Sequence, residues 1–550
     1  MKNNARPAGA GMTRPGRRCL NPESMRKLLI LAAALLSAAC AEAPQPEINV
    51  IPRPLSVEQG DGAFRLGRSC PIGYDDPALQ SVAALCAGYL TEEGERKPVV
   101  ADKPVHKGID LQLDDTLAGE EYTLSATKKG VSICGGSPRA VLYGVQTLRQ
   151  LIDGDRVPVV EIRDEPYFGY RGAMFDVARY FYPVEEVKRF IDIMALHKLN
   201  TFHWHLTDDQ GWRIEIERYP ELTRIGSQRR ETLIGHYKTS DEYDGKPHGG
   251  YYTQDEIREV VAYAAERCID IIPEIELPGH SMAALASYPW LGCTKGPYEV
   301  RTTWYYSSDV LCAGRETTFE FLENVLTEVI GLFPSKYIHV GGDECPKVRW
   351  KACPDCQRRM RREGLADEDA LQSYFVCRIE EWLHAHGREM IGWDELLEGG
   401  VTPSTIVMSW RGTEGGIEAA KLGNRVIMAP RFYFYLDYYQ TSDPERNGEP
   451  LSIGRNVPIR KLYGYDPFDR LDEAQSRNIL GVQANLWTEY ISTMDHAEYM
   501  LLPRLAAMSE VAWATERRDY DDFVRRLGSL RGLYDREGYR YADFVFRGIE

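Results

Sequence analysis

The stretch KYIHVGGDE, residues 336–344, places a short apolar segment directly before two glycines and two acids. Its first five residues, KYIHV, have the aromatic and β-branched composition of a short buried strand. Gly341 and Gly342 would end that strand and let another group approach the backbone closely. Because neighbouring carboxylates repel each other, Asp343 and Glu344 at a strand end suggest a binding or catalytic site. A solvated acidic turn would explain this stretch equally well on its own.

Seven other apolar runs have the same character, and helical patterns separate nearly all of them. The eight strand candidates are GAMFDVAR (172–179), NTFHWHLTDD (200–209), IDIIPEIELPGH (269–280), KYIHVGGDE (336–344), EMIGWDE (389–395), TIVMSWRG (405–412), RVIMAPRFYFYLD (425–437) and ILGVQANLWTE (479–489). Strands that alternate with helices predict a parallel sheet, and eight of them predict a closed (β/α)8 TIM barrel. A doubly wound open sheet is the alternative, but no glycine-rich dinucleotide fingerprint follows any of the runs.

The segment before the barrel has a mixed pattern that predicts a small α/β domain over residues 41–164, with the barrel and C-terminal helices over 165–550. ALQSVAALCAGYL (78–90) and SPRAVLYGVQTLRQLI (137–152) have helical periodicity, with Ser137 as the expected cap of the second helix. GIDLQLDD, EYTLSAT and GVSICGG alternate as strands do. No site is visible in this segment.

Residues 1–40 have the features of an export signal. A basic start, Met25-Arg26-Lys27, precedes an apolar run from Leu28 to Ala39, which has signal-peptide proportions and is too short to span a bilayer. Cys40 follows directly, as in bacterial lipoprotein signals, although Ser37 occupies a position where a large apolar residue is usual. We expect export to the periplasm or outer membrane, with membrane attachment through a lipidated Cys40. The start codon is either Met1 or Met25.

Composition and cysteine spacing argue against several partners. A formal net charge of −16 argues against nucleic acid and an anionic bilayer surface as partners. The close cysteine pair Cys353 and Cys356, with Cys345 upstream, offers too few ligands at metal-binding spacing, because a zinc site needs three or four. A local disulfide or simple packing is the favoured interpretation, and we predict neither a metal nor a cofactor.

Charged, histidine and aromatic residues recur near the ends of the predicted strands. They are Arg171, Arg179, His203, Trp204, His205, Asp208, Asp209, Glu274, Glu276, His280, Asp343, Glu344, Trp393, Asp394, Glu395, Trp410, Arg411, Tyr435, Asp437, Trp487 and Glu489. Active sites of barrels lie at the carboxyl ends of the strands, so these residues would surround one mouth. Any single tryptophan is more often core. Three strands that end in tryptophan, two of them with a nearby acid, favour a pocket for a sugar ring.

Glycosidic cleavage needs an acid for the leaving oxygen and a group that stabilises an oxocarbenium-like centre. Most such enzymes place two carboxyls on opposite sides of the bond. Asp343 and Glu344 are adjacent in sequence, and we do not expect them to face each other across a sugar. This favours a division of roles, with one acid donating the proton and the other orienting a group of the substrate.

At these residues the sequence resembles the β-N-acetylhexosaminidases of glycoside hydrolase family 20. The similarity runs from VIPRPLSVEQGDGAFRL through YRGAMFDVARYF, HWHLTDDQGWR, PEIELPGHS, YIHVGGDE, GWDE, MSWRG, YLD and NLWTEY. It implies substrate-assisted retaining catalysis, in which the substrate's 2-acetamido oxygen attacks the anomeric carbon and forms an oxazolinium intermediate.

The resemblance also implies roles for individual residues. Glu344 would be the general acid and base, Asp343 would hold the acetamido N–H, and Tyr435 would bind its carbonyl oxygen. Asp208 and His280 would lie behind Glu344 and tune its proton affinity. The predicted substrate-binding residues are Arg171, Trp393, Trp410, Asp437, Trp487 and Glu489. Tyr170, Tyr180 and Glu276 depart from common family residues and leave the finer pocket geometry open.

Three functions are compared. The first is an exo-acting enzyme that removes terminal β-linked GlcNAc or GalNAc from glycans. The second is a lacto-N-biosidase-type enzyme that releases a disaccharide, for which a roomier pocket is needed. The third is a surface lipoprotein that binds glycans without cleaving them, and the presence of Glu344 argues against it. The sugar preference, linkage, aglycone length and oligomeric state are not predicted.

Overall fold

A computed structural model describes residues 47–92 and 96–549. The predicted signal segment, including Cys40, lies outside the described residues. Within the described part of the chain, none of the helices is both long and apolar enough to cross a membrane.

The first part of the chain forms a seven-stranded sheet with the order β1-β7-β5-β6-β4-β2-β3. Its strands are Ser56–Arg65 (β1), Pro71–Tyr74 (β2), Val99–Ala101 (β3), Ile109–Leu113 (β4), Tyr122–Thr127 (β5), Gly130–Gly135 (β6) and Arg156–Asp164 (β7). Two helices, Gln80–Glu92 and Pro138–Leu151, contact this sheet. Ser137 caps the second one, because its side chain accepts a hydrogen bond from the Ala140 backbone N–H.

The second part is a closed barrel of eight parallel strands, which confirms the predicted (β/α)8 fold. In chain order the strands are Tyr170–Asp176 (β8), Thr201–His205 (β9), Asp270–Glu274 (β10), Tyr337–His339 (β11), Glu389–Trp393 (β12), Ile406–Ser409 (β13), Val426–Met428 (β14) and Ile479–Leu486 (β15). The closure pairs β15 with β8, where Gly481 lies opposite Tyr170 and Leu486 opposite Phe175. Each strand overlaps one of the eight predicted apolar runs.

Helices connect the strands and follow the last one. The longer helices are Val184–Leu196, Gln254–Glu266, Glu316–Leu332, Pro354–Glu363, Glu368–Ala385, Glu414–Leu422, Met494–Leu501, Arg504–Trp513 and Tyr520–Glu537. The shorter ones are Glu221–Arg224, Met282–Ser287, Val348–Ala352, Arg431–Phe434, Pro444–Asn447, Ile459–Tyr463 and Glu473–Ser476. Thr253 and Glu256 form a reciprocal capping box at the start of Gln254–Glu266.

Trp513 joins the sheet to the barrel. It ends helix Arg504–Trp513, yet its fully buried ring belongs to the core of the N-terminal sheet. The ring meets Tyr143 edge-on at 5.1 Å, and its indole N–H donates to Asp164 Oδ1 at 2.8 Å. Arg171, near the start of β8, also faces this junction, because its guanidinium lies 5.1 Å from the centre of the Trp513 ring. The N-terminal sheet therefore covers the amino end of the barrel, and the carboxyl ends of the strands lie at the other end.

Candidate active site

The turn after β11 explains the paired glycines. Gly341 and Gly342 have φ of +66° and +96°, in the region that glycine adopts without strain. A Cβ on Gly341 would lie 1.9 Å from Glu276 Oε2, and one on Gly342 would lie 2.5 Å from a Leu396 methyl carbon. The turn therefore needs glycine at both positions for conformation and for space. It presents Asp343 and Glu344 at the mouth of the barrel.

Glu344 has an unusual backbone conformation, with φ of +40°. Such a conformation costs of the order of 1–3 kcal/mol in a residue with a side chain, and it persists where the surrounding structure enforces it. The Glu344 side chain is 36% exposed, whereas that of Asp343 is 11% exposed. The more accessible carboxyl is thus the one predicted to exchange a proton with the substrate.

His280 links both acids to Asp208. Its Nδ1 lies 3.1 Å from Asp208 Oδ1, and its Nε2 lies 3.5 Å from one oxygen of Asp343 and 3.5 Å from one oxygen of Glu344. Burial opposes protonation of the ring, but Asp208 and Asp343 outweigh it and raise the pKa of His280 well above 6.5. His280 is therefore an imidazolium at neutral pH, and its charge faces the two predicted catalytic carboxyls.

Asp208 is buried and receives three cationic or histidine partners. Arg179 Nη2 lies 2.9 Å from its Oδ2, and His205 Nε2 lies 3.0 Å from the same oxygen. Burial raises the pKa of Asp208, but Arg179 and His280 reverse the effect and hold it well below 3.8. The neighbouring Asp209 has a structural role, since it accepts from the backbone N–H groups of Met282 and Ser307.

A second buried group of polar residues lies inside the barrel beneath these acids. The carboxylate of Glu274 approaches three histidines, with His203 Nε2 at 3.0 Å, His339 Nδ1 at 2.7 Å and a short contact to His205. Glu276 differs, because neither of its oxygens has a hydrogen-bond partner among the described residues. Burial, Asp343 and Glu274 raise its pKa well above 4.5, which favours the neutral carboxyl.

The mouth encloses a cavity of about 270 Å³. Its lining comprises Arg179, Gln210, Tyr237, Lys238, His280, Trp304, Tyr305, Tyr306, Asp343, Glu344, Trp410, Arg431, Tyr435, Asp437, Tyr438, Ile453, Gly454, Arg455, Trp487 and Glu489. The volume is near the lower end of the ~300–1,000 Å³ usual for ligand pockets, and it suits a short ligand. Eight of the eleven predicted site residues line the cavity, and Asp208, Trp393 and Arg171 do not. Asp208 lies directly behind one of the lining residues, His280.

Three aromatic rings form one wall of the cavity. Trp410 and Tyr435 are nearly parallel, with centroids 6.1 Å apart, and Tyr435 and Trp487 have centroids 6.2 Å apart. Burial raises the pKa of Tyr435 well above 10, so its hydroxyl is neutral and available to donate. Trp393 is 1% exposed and packs 6.1 Å from Trp487, so it supports this wall from behind instead of lining it as predicted.

Arg179, Asp437 and Glu489 also line the cavity. The Arg179 guanidinium lies over the Trp487 ring at 4.8 Å. Burial, with repulsion from Glu489, raises the pKa of Asp437 well above 3.8, and burial raises that of Glu489 to about 7. Asp437 Oδ1, Asp343 Oδ1 and Trp487 Nε1 are buried without a hydrogen-bond partner among the described residues. Buried polar atoms of this kind in a cavity fit groups whose partner is a substrate.

The prediction that Arg171 binds substrate is wrong. Arg171 is the second residue of β8, so it lies at the amino end of the barrel. Its guanidinium is fully buried, 3.0 Å from Glu120 Oε2 and bonded to the backbone oxygens of Lys198 and Phe168. Arg179, which follows the carboxyl end of the same strand, occupies the cavity instead.

The sequence interpretation also missed the loop that carries Trp304, Tyr305 and Tyr306. These residues line the cavity, although they lie between elements and far from any strand end. The signal was the cluster of three consecutive aromatic residues in an otherwise polar segment. Trp204 was placed at the mouth of the barrel by the sequence, but it is fully buried and packs against Tyr252 and Phe333.

This TIM barrel presents a partly exposed acid with a strained backbone, beside aromatic rings and polar groups that can bind sugar hydroxyls. These are the features of a glycoside hydrolase. Comparison with known proteins identifies the family. Residues 168–516 match the description "Glycosyl hydrolase family 20, catalytic domain", and residues 47–165 match "Glycosyl hydrolase family 20, domain 2". The chain therefore belongs to glycosyl hydrolase family 20, as the sequence resemblance predicted.

Individual relatives agree with this assignment. A β-hexosaminidase of Porphyromonas gingivalis is 44% identical over 534 residues, which cover 94% of this chain and 67% of the relative. An exo-β-N-acetylglucosaminidase of Vibrio harveyi, solved with N-acetylglucosamine, superimposes with a TM-score of 0.80 at 33% identity, covering 91% of this chain and 79% of that one. A mutant Streptomyces plicatus β-hexosaminidase, solved with its product GlcNAc, gives 0.79 at 32% identity, covering 91% and 97%.

Proposed function

We propose that this glycoside hydrolase is an exo-acting β-N-acetylhexosaminidase that removes terminal β-linked GlcNAc or GalNAc with retention of configuration. The observation that carries the proposal is the shared position of Asp343 and Glu344 on one side of His280, each 3.5 Å from its Nε2. Two acids held by one ring do not flank a glycosidic bond, so neither is placed opposite the other as a nucleophile. The nucleophile then comes from the substrate's own acetamido oxygen.

The residues divide the chemistry as follows. Glu344 gives its proton to the leaving oxygen while the acetamido oxygen bonds to the anomeric carbon, and the bond to the leaving group breaks. Asp343 accepts from the acetamido N–H through its unpartnered Oδ1 and balances the positive charge of the oxazolinium ring. Water then attacks the anomeric carbon as the bond from that carbon to the acetamido oxygen breaks, and Glu344 takes a proton from the water.

The remaining cavity groups fit the sugar itself. Tyr435 donates its neutral hydroxyl to the acetamido oxygen, and the faces of Trp410 and Trp487 contact the apolar faces of the ring and the acetyl methyl. Arg179, Asp437 and Glu489 bind the ring hydroxyls at the far end. A polar end wall of three charged or acidic groups stops the chain there, which supports release of one terminal sugar.

The activities of the relatives support the same assignment. The P. gingivalis and Vibrio furnissii proteins are both described as β-hexosaminidases, and the second is 39% identical over 84% of this chain. The solved complexes with N-acetylglucosamine and GlcNAc place that sugar in enzymes of this fold.

A substrate panel tests this function. Aryl glycosides of β-GlcNAc, β-GalNAc, β-glucose and lacto-N-biose are compared for kcat/KM with one preparation of enzyme. We expect turnover of the two N-acetyl sugars and little of the glucoside. Release of the intact disaccharide from the lacto-N-bioside as the main activity would instead support the lacto-N-biosidase alternative. Binding without turnover of any substrate would support a glycan-binding protein.

We also propose that the chain is exported and attached to a membrane through a lipidated Cys40. The sequence of residues 25–40 supports this proposal, and the test is metabolic labelling with a radioactive or alkyne-bearing fatty acid in cells that express the full chain. The label should appear on the wild type and be lost in Cys40→Ser. Equal label in both would contradict attachment at Cys40.

A further inference from the structure

Four cysteines from two separate segments of the chain, 293–312 and 353–356, meet at one point. Cys293, Cys312, Cys353 and Cys356 have all four sulfur atoms within 4.8 Å of one another. The Sγ–Sγ distances are 3.8 Å for Cys293–Cys356, 3.8 Å for Cys312–Cys353 and 3.7 Å for Cys312–Cys356. We call this group the four-cysteine cluster.

These distances match those of a metal site. Zinc binds thiolate sulfur at about 2.3 Å in a tetrahedron, which separates the sulfur atoms by roughly 3.8 Å. A disulfide would join two sulfur atoms at about 2.05 Å. Cys312 is nearly equidistant from Cys353 and Cys356, whereas a disulfide would bring it close to only one of them. The cluster therefore has the spacing of four ligands around one ion.

We propose that the four-cysteine cluster binds one Zn²⁺ as a closed structural site, separate from the catalytic cavity. Four sulfur ligands satisfy tetrahedral zinc completely and leave no position for water or substrate. The sulfur atoms lie in a largely buried setting, since Cys312 and Cys356 are 0% exposed and Cys353 is 3% exposed. The prediction of no metal from the sequence counted only Cys353 and Cys356 at suitable spacing.

Neighbouring charge fits a thiolate site. Four thiolates around Zn²⁺ carry a net charge of −2, and Arg315 lies beside the cluster. Its guanidinium donates to the backbone oxygens of Gly292 and Cys293 at 3.0 and 3.4 Å, and its Nε donates to Asp355 at 2.8 Å. A cation held at both halves of the cluster offsets the charge of the ligands.

The cluster would hold two catalytic loops together. Cys293 and Cys312 bracket the loop with Trp304, Tyr305 and Tyr306, while Cys353 and Cys356 follow the turn that carries Asp343 and Glu344. The same region is joined to the His280 loop, because Leu311 N–H donates to Pro278 O at 3.0 Å. Zinc would therefore fix the aromatic loop relative to the acid turn.

Metal content tests the proposal directly. The full chain is purified without chelator or added metal, and its metals are measured by inductively coupled plasma mass spectrometry. We expect about one zinc per chain in the wild type and loss of most of it in Cys312→Ser and Cys356→Ser. Cys377→Ser, at a cysteine outside the cluster, is the matched control and should keep its zinc. Iron in place of zinc, or zinc that is retained by the two cluster variants, would overturn the assignment.

A second measurement covers the case in which the cluster variants do not fold. Wild-type protein produced with Co²⁺ should show the intense visible bands of tetrahedral cobalt thiolate. Peptide mapping without reductant should recover all four cysteines as thiols. If wild type purified without chelator contains no metal and has disulfides among these four cysteines, the zinc site is refuted. Removal of the metal by a strong chelator should lower Tm and kcat/KM, with both restored by Zn²⁺, and an unchanged Tm would refute the structural role.

Discussion

His280 and Glu344 lie on loops that follow neighbouring barrel strands, and the Nε2 of the first is 3.5 Å from an Oε2 of the second. Both residues have positive φ, +46° and +40°. Two strained backbones that meet at one ion-pair contact indicate that the fold holds this geometry against a conformational cost. The contact places an imidazolium beside the proposed acid.

Glu344→Gln should reduce kcat/KM by about 10²–10⁴-fold, because the proton donor is lost while the shape of the side chain is kept. The loss should be larger for alkyl than for dinitrophenyl leaving groups, which need less protonation. Steady-state kinetics on both substrates checks this, with Glu398→Gln, at a half-exposed acid outside the cavity, as control. Near-normal turnover of the alkyl glycoside by Glu344→Gln would rule out the acid role.

Asp343→Asn should weaken binding of a thiazoline that mimics the oxazolinium ring. A hydrogen bond to a charged group contributes about 1.5–3 kcal/mol, so the inhibition constant should rise by roughly 10- to 100-fold. Affinity for GlcNAc, which carries no positive charge, should change less. Inhibition constants for both ligands are measured on parent and variant. An equal change for the two ligands would contradict a charge-balancing role.

The stability that protonated His280 gives to the folded enzyme should be lost at alkaline pH. Its pKa is raised well above 6.5 by Asp208 and Asp343 despite burial, and Glu344 also faces the ring. A raised histidine pKa adds stability that is complete below 6.5 and is lost as pH rises through the folded-state value. The free energy of unfolding, measured with denaturant, should therefore be higher for wild type than for His280→Gln, and this difference should narrow toward high pH. If the difference in unfolding free energy instead widens as the pH is raised, the His280 ring is neutral in the folded protein.

Arg171 and Arg179 should respond differently to the same substitution. Arg171→Met removes a fully buried guanidinium that pairs with the partly exposed Glu120, and it should cost about 3 kcal/mol of unfolding free energy, with KM of the folded enzyme nearly unchanged. Arg179→Met should raise KM and lower kcat/KM, because its guanidinium lines the cavity. Unfolding and kinetic measurements on both variants separate the two roles. If KM rises in Arg171→Met and not in Arg179→Met, Arg171 binds substrate as the sequence predicted.

The barrel was predictable from sequence because its strands are buried on both faces. Such strands form continuous apolar runs, and each run could be recognised without knowing its neighbours. β1 gave no such signal, since SVEQGDGAFR is mostly exposed and its pairing with β7 is irregular between Gln59 and Ala63. An edge strand with polar residues on both faces resembles a loop in sequence.

The site was predictable only where a residue follows the carboxyl end of a strand. Arg171 and Arg179 flank the same apolar run, and the direction of β8 alone decides which one reaches the mouth. The four-cysteine cluster could not be predicted from the sequence for another reason. Cys293 and Cys356 are 63 residues apart, and only the packing of the two catalytic loops brings them together.

The most direct test of the central claim uses the acetamido group itself. Aryl β-glycosides bearing N-acetyl, N-fluoroacetyl, N-difluoroacetyl and N-trifluoroacetyl groups are compared for kcat/KM, with the matching products measured as inhibitors to correct for binding. If the amide oxygen attacks the anomeric carbon, each fluorine withdraws electrons from it, and kcat/KM should fall steadily and by orders of magnitude across the series. A rate that stays constant after the binding correction would show that an enzyme carboxylate is the nucleophile.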